Sequence, residues 1–528
     1  MAVAETEGGR ARDGTPDMPR SAAGMGGPWI MTMTISIATF MEILDTSIAN
    51  VSLANISGSL GVSLDQGTWI ITSYLVANAI IIPISGFLSR AIGRKRYFMI
   101  SIALFTLSSL VCALSTSLGM LIIARVFQGI GGGGLAPVEQ SMLADSFPQE
   151  KRGQAFAFFG VVIVVAPIIG PTIGGYITDV VSWHWIFLIN VPVGILALLL
   201  VGLIVAEPEA LVEETGKLRK GGLKIDYVGF ILVAIGLAGL LITLDRGQSE
   251  NWFDSPLIVT TAIMAAAGLG LMTAWELNHP DPIVPLHLLA NRNFAICVVL
   301  IMILGLLVFG TIQIVPQMLQ QVYHYSSYNA GLALTYGGVI SIFMMPVAGV
   351  LTGKVDTRAL LLPAFAMQAV AFWWLAGFNL QSTFADAAWA RFMTSIGLPF
   401  LFIPITTIAY VGLKPDESDK ASAMINFFRN LGGAFGISLT QTLLVRREQF
   451  HQSRVTEGLN ELNPAFTDAL HRAAEAAGSR DAALGLLYAQ VQRQAAMMAY
   501  IEVYHVLMWL VIGLLPLILI LRPARDSA

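Results

Sequence analysis

The sequence predicts an all-α polytopic membrane protein, and three observations carry that prediction. Of its 528 residues, 55% are hydrophobic and only 12% are charged, with a mean hydropathy of +0.71; a soluble domain carries roughly twice that charged fraction. The apolar residues come in blocks of roughly 18–25, long enough to cross about 30 Å of hydrocarbon as helices. The blocks neither alternate polar with apolar nor stop at the length of a barrel strand, which excludes a transmembrane barrel.

Fourteen spans are predicted, with approximate limits 29–52, 67–88, 97–116, 119–142, 155–178, 184–205, 227–245, 256–276, 295–318, 329–353, 359–378, 388–413, 421–445 and 499–521. Basic residues set their orientation, because they gather in cytoplasmic loops. With the amino terminus inside, most of the 30 Lys and Arg fall on the cytoplasmic side, and the short loops of the other side hold only Arg246. Both termini are then cytoplasmic, as an even number of spans requires. The net charge of −4 says little about partners, because charge is sorted by side of the membrane. Cys112 and Cys297 fall inside apolar spans and read as small core hydrophobes, not as a disulfide framework.

Taken in chain order, residues 1–28 mix Gly, Pro, Arg and acids without periodicity and are predicted to be a disordered cytoplasmic tail without a cleavable signal. The first span contains MEILDTSIAN (41–50), which puts Glu42, Asp45 and Asn50 at bilayer depth. A charge at the bilayer centre costs roughly 2.5–3.5 kcal/mol on insertion scales. Three residues turn a helix by about 300°, so Glu42 and Asp45 lie about 60° apart on one face. An acid there is a candidate proton carrier; the plainer alternative is that it pairs with a buried cation and locks the fold. After the second span, GFLSRAIGRKR (86–96) places Gly86, Arg90, Gly93, Arg94 and Lys95 in a cytoplasmic loop. That loop reads as a headgroup anchor or, from its Gly-x-Leu…Gly-Arg-Lys spacing, as a gating loop.

The fourth span holds LIIARVFQGIGGGG (121–134). Arg125 keeps its charge when buried, so it needs an anion or several carbonyls around it; Asp45 is the first candidate and Glu42 the second. The run Gly131–Gly134 follows no strand and lacks the Gly-Lys-Ser/Thr ending of a phosphate loop, so it reads as a close helix contact. In the fifth span, GVVIVVAPIIGPTIGGY (160–176), Pro167 and Pro171 each remove a backbone donor and favour a kink. Gly170, Gly174 and Gly175 there let a neighbouring helix approach closely.

A charged cytoplasmic linker, 206–226, precedes spans seven and eight, and a Pro-punctuated stretch, 277–294, follows them. Gln313 and Gln317 in span nine, with Asn50 and Arg429, are candidate polar anchors of an otherwise apolar substrate cavity. Arg429, in NFFRNLGGAFG (426–436), repeats the Arg-then-Gly order of span four, which suits a fold built from repeated helix sets. Residues 446–497 form the one long external segment, and their Ala- and Leu-rich stretches behind N-cap-like starts predict one or two amphipathic helices. These are either a solvated cap or a partner-docking surface. Glu502 and His505, near the outer end of the last span, are either a titratable pair or interfacial. With seven histidines and neither an HExxH nor a GxSxG site, no enzyme and no metal centre is expected.

Several of these stretches resemble the major facilitator superfamily, and more narrowly its fourteen-helix drug:H+ antiporters of the Emr type. LDTSIANVSLANISGSLGVSLDQGTWIITSYLVANAI (44–80) is similar to their first two helices, ARVFQGIGGGG (124–134) to the fourth-helix motif with its proton-linked arginine, and GPTIGG (170–175) to the antiporter motif of helix five. LDRGQSENWF (244–253) and NRNFAI (291–296) also match, and the resemblance covers nearly the whole chain. One departure is Arg90, which stands where the superfamily's helix 2–3 motif has an acid, so the charge clasp assigned to that acid is in question.

The resemblance implies two six-helix bundles, 29–205 and 295–521, with linker and two inserted helices in 206–294, the external segment 446–497 inside the second bundle, and a cytoplasmic tail at 522–528. It implies Asp45, Glu42 and Arg125 as proton-coupling residues, and export of hydrophobic or amphipathic toxic compounds against proton entry, with no cofactor beyond the proton gradient and no nucleic acid as partner. It places the chain in a bacterial inner membrane, amid lipid. It implies further partners, a periplasmic adaptor of the EmrA type and a TolC-type outer-membrane channel, with 446–497 as the surface the adaptor would touch. The alternative within the same fold is a stand-alone exporter of one endogenous metabolite.

Overall fold

The computed structural model describes residues 27–207, 216, 226–279, 282–325, 327–413, 417–457, 459–460 and 463–521. Nearly all of the expected linker 206–226 and the tails 1–26 and 522–528 lie outside the described residues. Every regular element among the described residues is a helix. The amino-terminal half comprises α1 (Gly27–Ser59), α2 (Leu64–Gly67), α3 (Trp69–Ile92), α4 (Arg94–Ala113), α5 (Leu118–Gly132), α6 (Leu135–Ser146), α7 (Gln149–Val180), α8 (His184–Leu188) and α9 (Asn190–Ile204). Two helices follow, α10 (Tyr227–Arg246) and α11 (Pro256–Glu276). The second half comprises α12 (Arg292–Gln321), α13 (Ser327–Thr352), α14 (Thr357–Ala376), α15 (Phe384–Ala409), α16 (Ser418–Glu457), α17 (Pro464–Ala477) and α18 (Arg480–Ile520).

A helix stands at each of the fourteen predicted spans, and twelve stretches among the described residues are long and apolar enough to cross a membrane. The predicted spans 155–178 and 421–445 are helices α7 and α16 but are not among those twelve; α16 dilutes its apolar residues with Asp419, Lys420, Arg429 and a series of Gly, Ser and Thr. Several helix starts obey ordinary capping chemistry. Ser117 accepts from the Met120 amide, Asp226 from Gly229, and Thr383 with Asp386 forms a capping box at α15. The fourth span is split between α5 and α6 at Gly133 and Gly134, because Pro137 has no N–H to give the Gly133 carbonyl. Leu107, Leu203, Ile263, Trp373 and Trp509 are each more than 60% exposed. A soluble monomer does not scatter large apolar residues outward on this scale, whereas a bilayer takes them up.

Of the inserted helices, α10 packs against α3 and α16, and α11 packs on α10. The Thr72 hydroxyl of α3 donates to Asp245, and Arg246 Nη1 donates to Thr68 Oγ1 at 2.5 Å.

The two halves meet through α7 against α13 and α15, and through α3 and α6 against α16. Their contacts gather toward one end of the helices, the end bearing the loops at 93 and 148. A Cβ on Gly153 would lie 2.7 Å from the Gly349 carbonyl oxygen, and one on Gly160 2.8 Å from Met345 Sδ. Phe156 stacks on Tyr410 and Phe159 on Phe402, with centroids 5.5 and 6.5 Å apart, and Asn426 Nδ2 donates to Gln140 Oε1 at 2.7 Å. The halves are closed against each other at that end.

Where one or two amphipathic helices are expected in 446–497, one separate helix, α17, is found; α16 runs straight on to Glu457, α18 begins at Arg480, and α17 packs on α18. At 1.5 Å per residue, helices of 40 and 41 residues reach about 60 Å, twice the hydrocarbon thickness.

Candidate functional site

Asp45 sits in the interior of the amino-terminal half, 2% exposed, and Arg125 beside it is fully buried. Arg125 Nη1 lies 2.6 Å from Asp45 Oδ2 and donates to it. The other carboxylate oxygen, Oδ1, accepts from Gln128 Nε2 at 3.0 Å and from Asn190 Nδ2 at 2.6 Å. Arg125 also donates from Nη1 to Gln128 Oε1 at 2.7 Å and from Nε to the Ile70 carbonyl at 3.2 Å. Its guanidinium lies over the Tyr74 ring, 4.2 Å from the centroid. Three helices thus hold one carboxylate: α5 supplies Arg125 and Gln128 one turn apart, α9 supplies Asn190, and Ser109 of α4 accepts from Gln128 at 2.7 Å. The structure therefore picks Asp45, not Glu42, as the partner of Arg125. An ion pair this dry is stable only while both partners and their hydrogen bonds are present.

Glu42 lies one turn earlier on a neighbouring face of α1. Its Oε1 accepts from Tyr74 Oη at 3.0 Å and from Asn78 Nδ2 at 3.1 Å, both on α3. The cation acting on it is Arg429, across the divide on α16. Arg429 is half-buried and its Nη1 has no hydrogen-bond partner. The two acids thus have different surroundings: Asp45 is held by Arg125, Gln128 and Asn190, and Glu42 by Tyr74 and Asn78.

The paired prolines of α7 have a physical consequence for α1. Pro171 carries no N–H, so the Pro167 carbonyl has no helical donor. The Ser47 hydroxyl of α1 supplies one at 3.3 Å. Gly170 is pressed against Ser47, and a Cβ on Gly174 would lie 2.7 Å from Ile48 Cγ2. Gly175, expected to serve the same packing, faces open space, so that part of the expectation is corrected.

The loop at 86–96 is a clasp between the halves, built differently from the superfamily pattern. Arg94 is 5% exposed; its Nη1 is 2.6 Å from Asp145 Oδ2 and its Nε 2.8 Å from Asp419 Oδ1 on α16. Ser418 donates to the other oxygen of Asp145 at 2.9 Å. Gly93 takes φ +97°, a conformation that favours glycine, and so turns α3 into α4. A Cβ on Gly86 would lie 2.9 Å from the Asp419 carbonyl oxygen, and Lys95 Nζ donates to the Gly202 carbonyl at 2.8 Å. The missing acid at position 90 is answered by Asp145 and Asp419, which Arg94 joins. Arg90 itself is half-buried.

Among the nominated cavity residues, Asn50 and Gln313 are exposed, and Gln317 is half-buried with its Oε1 unpartnered. The pairing of Glu502 with His505 is overturned. Glu502 meets Arg447 Nε at 2.8 Å and His451 Nε2 at 3.1 Å, both on α16, whereas the His505 ring bonds the Ile501 carbonyl. Cys112 and Cys297 are free and buried. Among the described residues, no group of three or more His, Cys, Asp or Glu is placed to hold a metal ion.

Sequence reasoning missed Gln128, Asn190, Ser109 and Tyr74. Gln128, at i+3 from Arg125, was open to discovery from helix spacing alone; Asn190 and Ser109 carry no such signal.

Comparison with known proteins agrees with this geometry. The family model for the Major Facilitator Superfamily matches residues 35–437. The chain is 39% identical over 496 residues to the multidrug export protein EmrB of Escherichia coli K12, covering 94% of this chain and 95% of that protein. It is 34% identical to the fatty acid resistance protein FarB of Neisseria gonorrhoeae, covering 94% and 97%. Among solved structures, the proton:xylose symporter XylE bound to 6-bromo-6-deoxy-D-glucose superposes with a TM-score of 0.58 at 14% identity, over 94% of this chain and 96% of that one. At that identity the likeness speaks for the fold alone.

Proposed function

The chain belongs to the major facilitator superfamily and, within it, to the EmrB-like multi-pass membrane exporters, and from that premise we propose that it expels hydrophobic and amphipathic toxic compounds in exchange for protons by alternating access. The observation that carries the proposal is the dry ion pair of Asp45 and Arg125. A buried carboxylate that accepts from Arg125, Gln128 and Asn190 is a switch with two states. Ionised, it anchors α1 to α5 and α9. Protonated, it gives up the charge-assisted bond, and α1 is free to shift. The energy available is sufficient: a proton moving inward releases about 2.3 kcal/mol per 100 mV and about 1.4 kcal/mol per unit of pH difference.

In the cycle, the clasp of Arg94, Asp145 and Asp419 holds the inside shut while the drug leaves outward and a proton reaches Asp45 and Glu42. The clasp then opens, the proton leaves to the cytoplasm, and a new drug enters a cavity bordered by α1, α12 and α16. Spans number fourteen in this reading, with both termini cytoplasmic and the protein in the inner membrane. The projecting ends of α16 and α18 with α17 form the surface for a periplasmic adaptor of the EmrA type, which hands the drug to a TolC-type channel. The relatives named for multidrug export and fatty acid resistance support the substrate class. No observation favours the single-metabolite alternative.

The test is transport in sealed vesicles with an imposed pH gradient and a panel of dyes and antibiotics. Asp45→Asn is expected to remain inserted and to lose gradient-driven efflux, and Arg125→Ala to lose it likewise. Full gradient-driven efflux by either variant overturns its role.

A further inference from the structure

One buried acid has no part in this cycle so far. Glu139, on α6, is fully buried; its Oε1 accepts from the Ser36 hydroxyl of α1, and its Oε2 has no partner. Beside it on α1 stands Thr39, also fully buried, whose hydroxyl bears on the same carboxyl. Ser36, Thr39, Glu42 and Asp45 recur every third residue. Each step rises about 4.5 Å and falls short of a full turn by about 60°. The four therefore wind half-way round α1 over about 13.5 Å. The contacts follow that winding: Asp45 meets α5 and α9, Glu42 meets α3, and Ser36 meets Glu139 on α6.

Resting on the proton-coupled reading above, we propose that Glu139 is the last carboxyl on the proton's way to the cytoplasm, receiving from Asp45 by way of Glu42. Helices α1, α3, α4, α5, α7 and α16 pack against α6, and on α1 the acid nearest Ser36, the partner of Glu139, is Glu42, six residues and about 9 Å further along the helix. Tyr97 of α4 lies against Gly134 instead, and Arg94, Asp145 and Asp419 are occupied with one another at the inner end. Met142 stands one turn further toward the cytoplasm. Together with Met31, Arg94 and Asp145 it lines a small cavity of about 20 Å³, room for about one water. With the halves closed on the inside, Met142 and the Arg94 clasp separate Glu139 from the cytoplasm. When the clasp opens, the O–H of Glu139 breaks and its proton passes to a cytoplasmic water, leaving a carboxylate and a hydronium ion. The carboxylate then takes the proton of Glu42, and Glu42 that of Asp45, which returns to Arg125. One proton moves inward and no electrons are transferred.

The test uses the full chain in proteoliposomes with whichever lipophilic dye of the panel the wild type carries best. Two fluxes are compared: efflux driven by a pH gradient, and dye-for-dye exchange at equal pH, in which no proton need be released. Glu139→Gln keeps an oxygen for Ser36 but cannot relay. It is expected to lower the gradient-driven flux at least about tenfold, leave exchange within about twofold, and flatten the dependence on cytoplasmic-side pH, with Glu139→Asp restoring most of the flux. Gradient-driven flux within about twofold of wild type overturns the relay, and so does an equal loss of both fluxes, which makes Glu139 a packing residue. A wild type whose dye flux ignores the gradient overturns the proton-coupled reading itself, and this inference with it.

Discussion

Removing Arg94 is expected to unlatch the inner face. Arg94 is 5% exposed and lies between two carboxylates, Asp145 at 2.6 Å and Asp419 at 2.8 Å, in opposite halves. Taking away one partner of a buried charge pair costs about 3–5 kcal/mol, because the remaining charge is left desolvated and unpaired. Asp145 has a side chain 20% exposed and keeps the Ser418 hydroxyl, so the lower end of that range applies. The cost falls only on the state closed inside, since opening separates α16 from α4 and wets the acids. A difference of about 3 kcal/mol moves the closed-to-open ratio of Arg94→Ala by about two powers of ten. Nitroxide labels at Glu150, in the first turn of α7, and at Lys354, in the turn that follows α13, both exposed, report that ratio as short and long distances. The native Cys112 and Cys297 are buried and are replaced by Ala first. The expected result is a long-distance peak that gains about a hundredfold relative to the short one. A ratio within about threefold of the parent shows that the clasp does not set the equilibrium.

Gly174→Leu forces a side chain into Ile48 and is expected to cost about 1–3 kcal/mol of thermal stability, whereas Gly175→Ala, in open space, leaves the melting temperature unchanged; equal effects at the two positions would show that α7 does not seat on α1 there. Shortening 446–497 so that α16 and α18 end at the bilayer is expected to leave membrane insertion intact and abolish crosslinking to a co-expressed adaptor of the EmrA type. Unchanged crosslinking returns the projecting helices to the part of a solvated cap.

The legible parts of the site were charges in the wrong solvent. Asp45, Glu42 and Arg125 stand out because hydrocarbon depth makes any ionisable group an anomaly, and Asp45 with Arg125 is the pair found. Sequence could not choose between acids about 60° apart on a helix whose rotation is set by its neighbours. Gln128, Asn190 and Ser109 escaped because a neutral amide or hydroxyl in a span is common and costs little. Glu139 escaped for another reason: it lies three residues before the predicted end of the fourth span, where an acid looks interfacial, while the helix continues to Ser146. In 446–497 one separate helix was legible, whereas the continuation of α16 through the polar run RREQFHQSR (446–454) was not, because a helix need not end where its apolar residues do. The Glu502 pairing failed similarly, since its partners come from α16 and not from the next turn of its own helix.

In the proposed cycle, protonating Asp45 breaks no contact between halves, because its ion pair with Arg125 lies within one half, so something must carry the change to the inner face. Helix α7 is one element that touches both. Its outer part receives α1, through Ser47 on the Pro167 carbonyl and Ile48 on Gly174, and its inner part meets the second half through Gly153 and Gly160. Pro167 and Pro171 lie between, where two missing N–H groups leave the carbonyls of Ile163 and Pro167 without helical donors. A hinge between the outer and inner parts of α7 is expected there, with the Ser47 bond as the tie by which α1 pulls. Pro171→Ala supplies the absent N–H, so the Pro167 carbonyl closes its own helical bond and Ser47 loses its acceptor. A regained backbone hydrogen bond is worth about 0.5–1.5 kcal/mol, enough to slow turnover by up to about tenfold if it must be broken again in each cycle. Dye binding, which needs no hinge motion, is expected to stay within about twofold. Turnover at the parent rate in Pro171→Ala, with Ser47→Ala equally silent, would mean that α1 does not drive α7 through this bond.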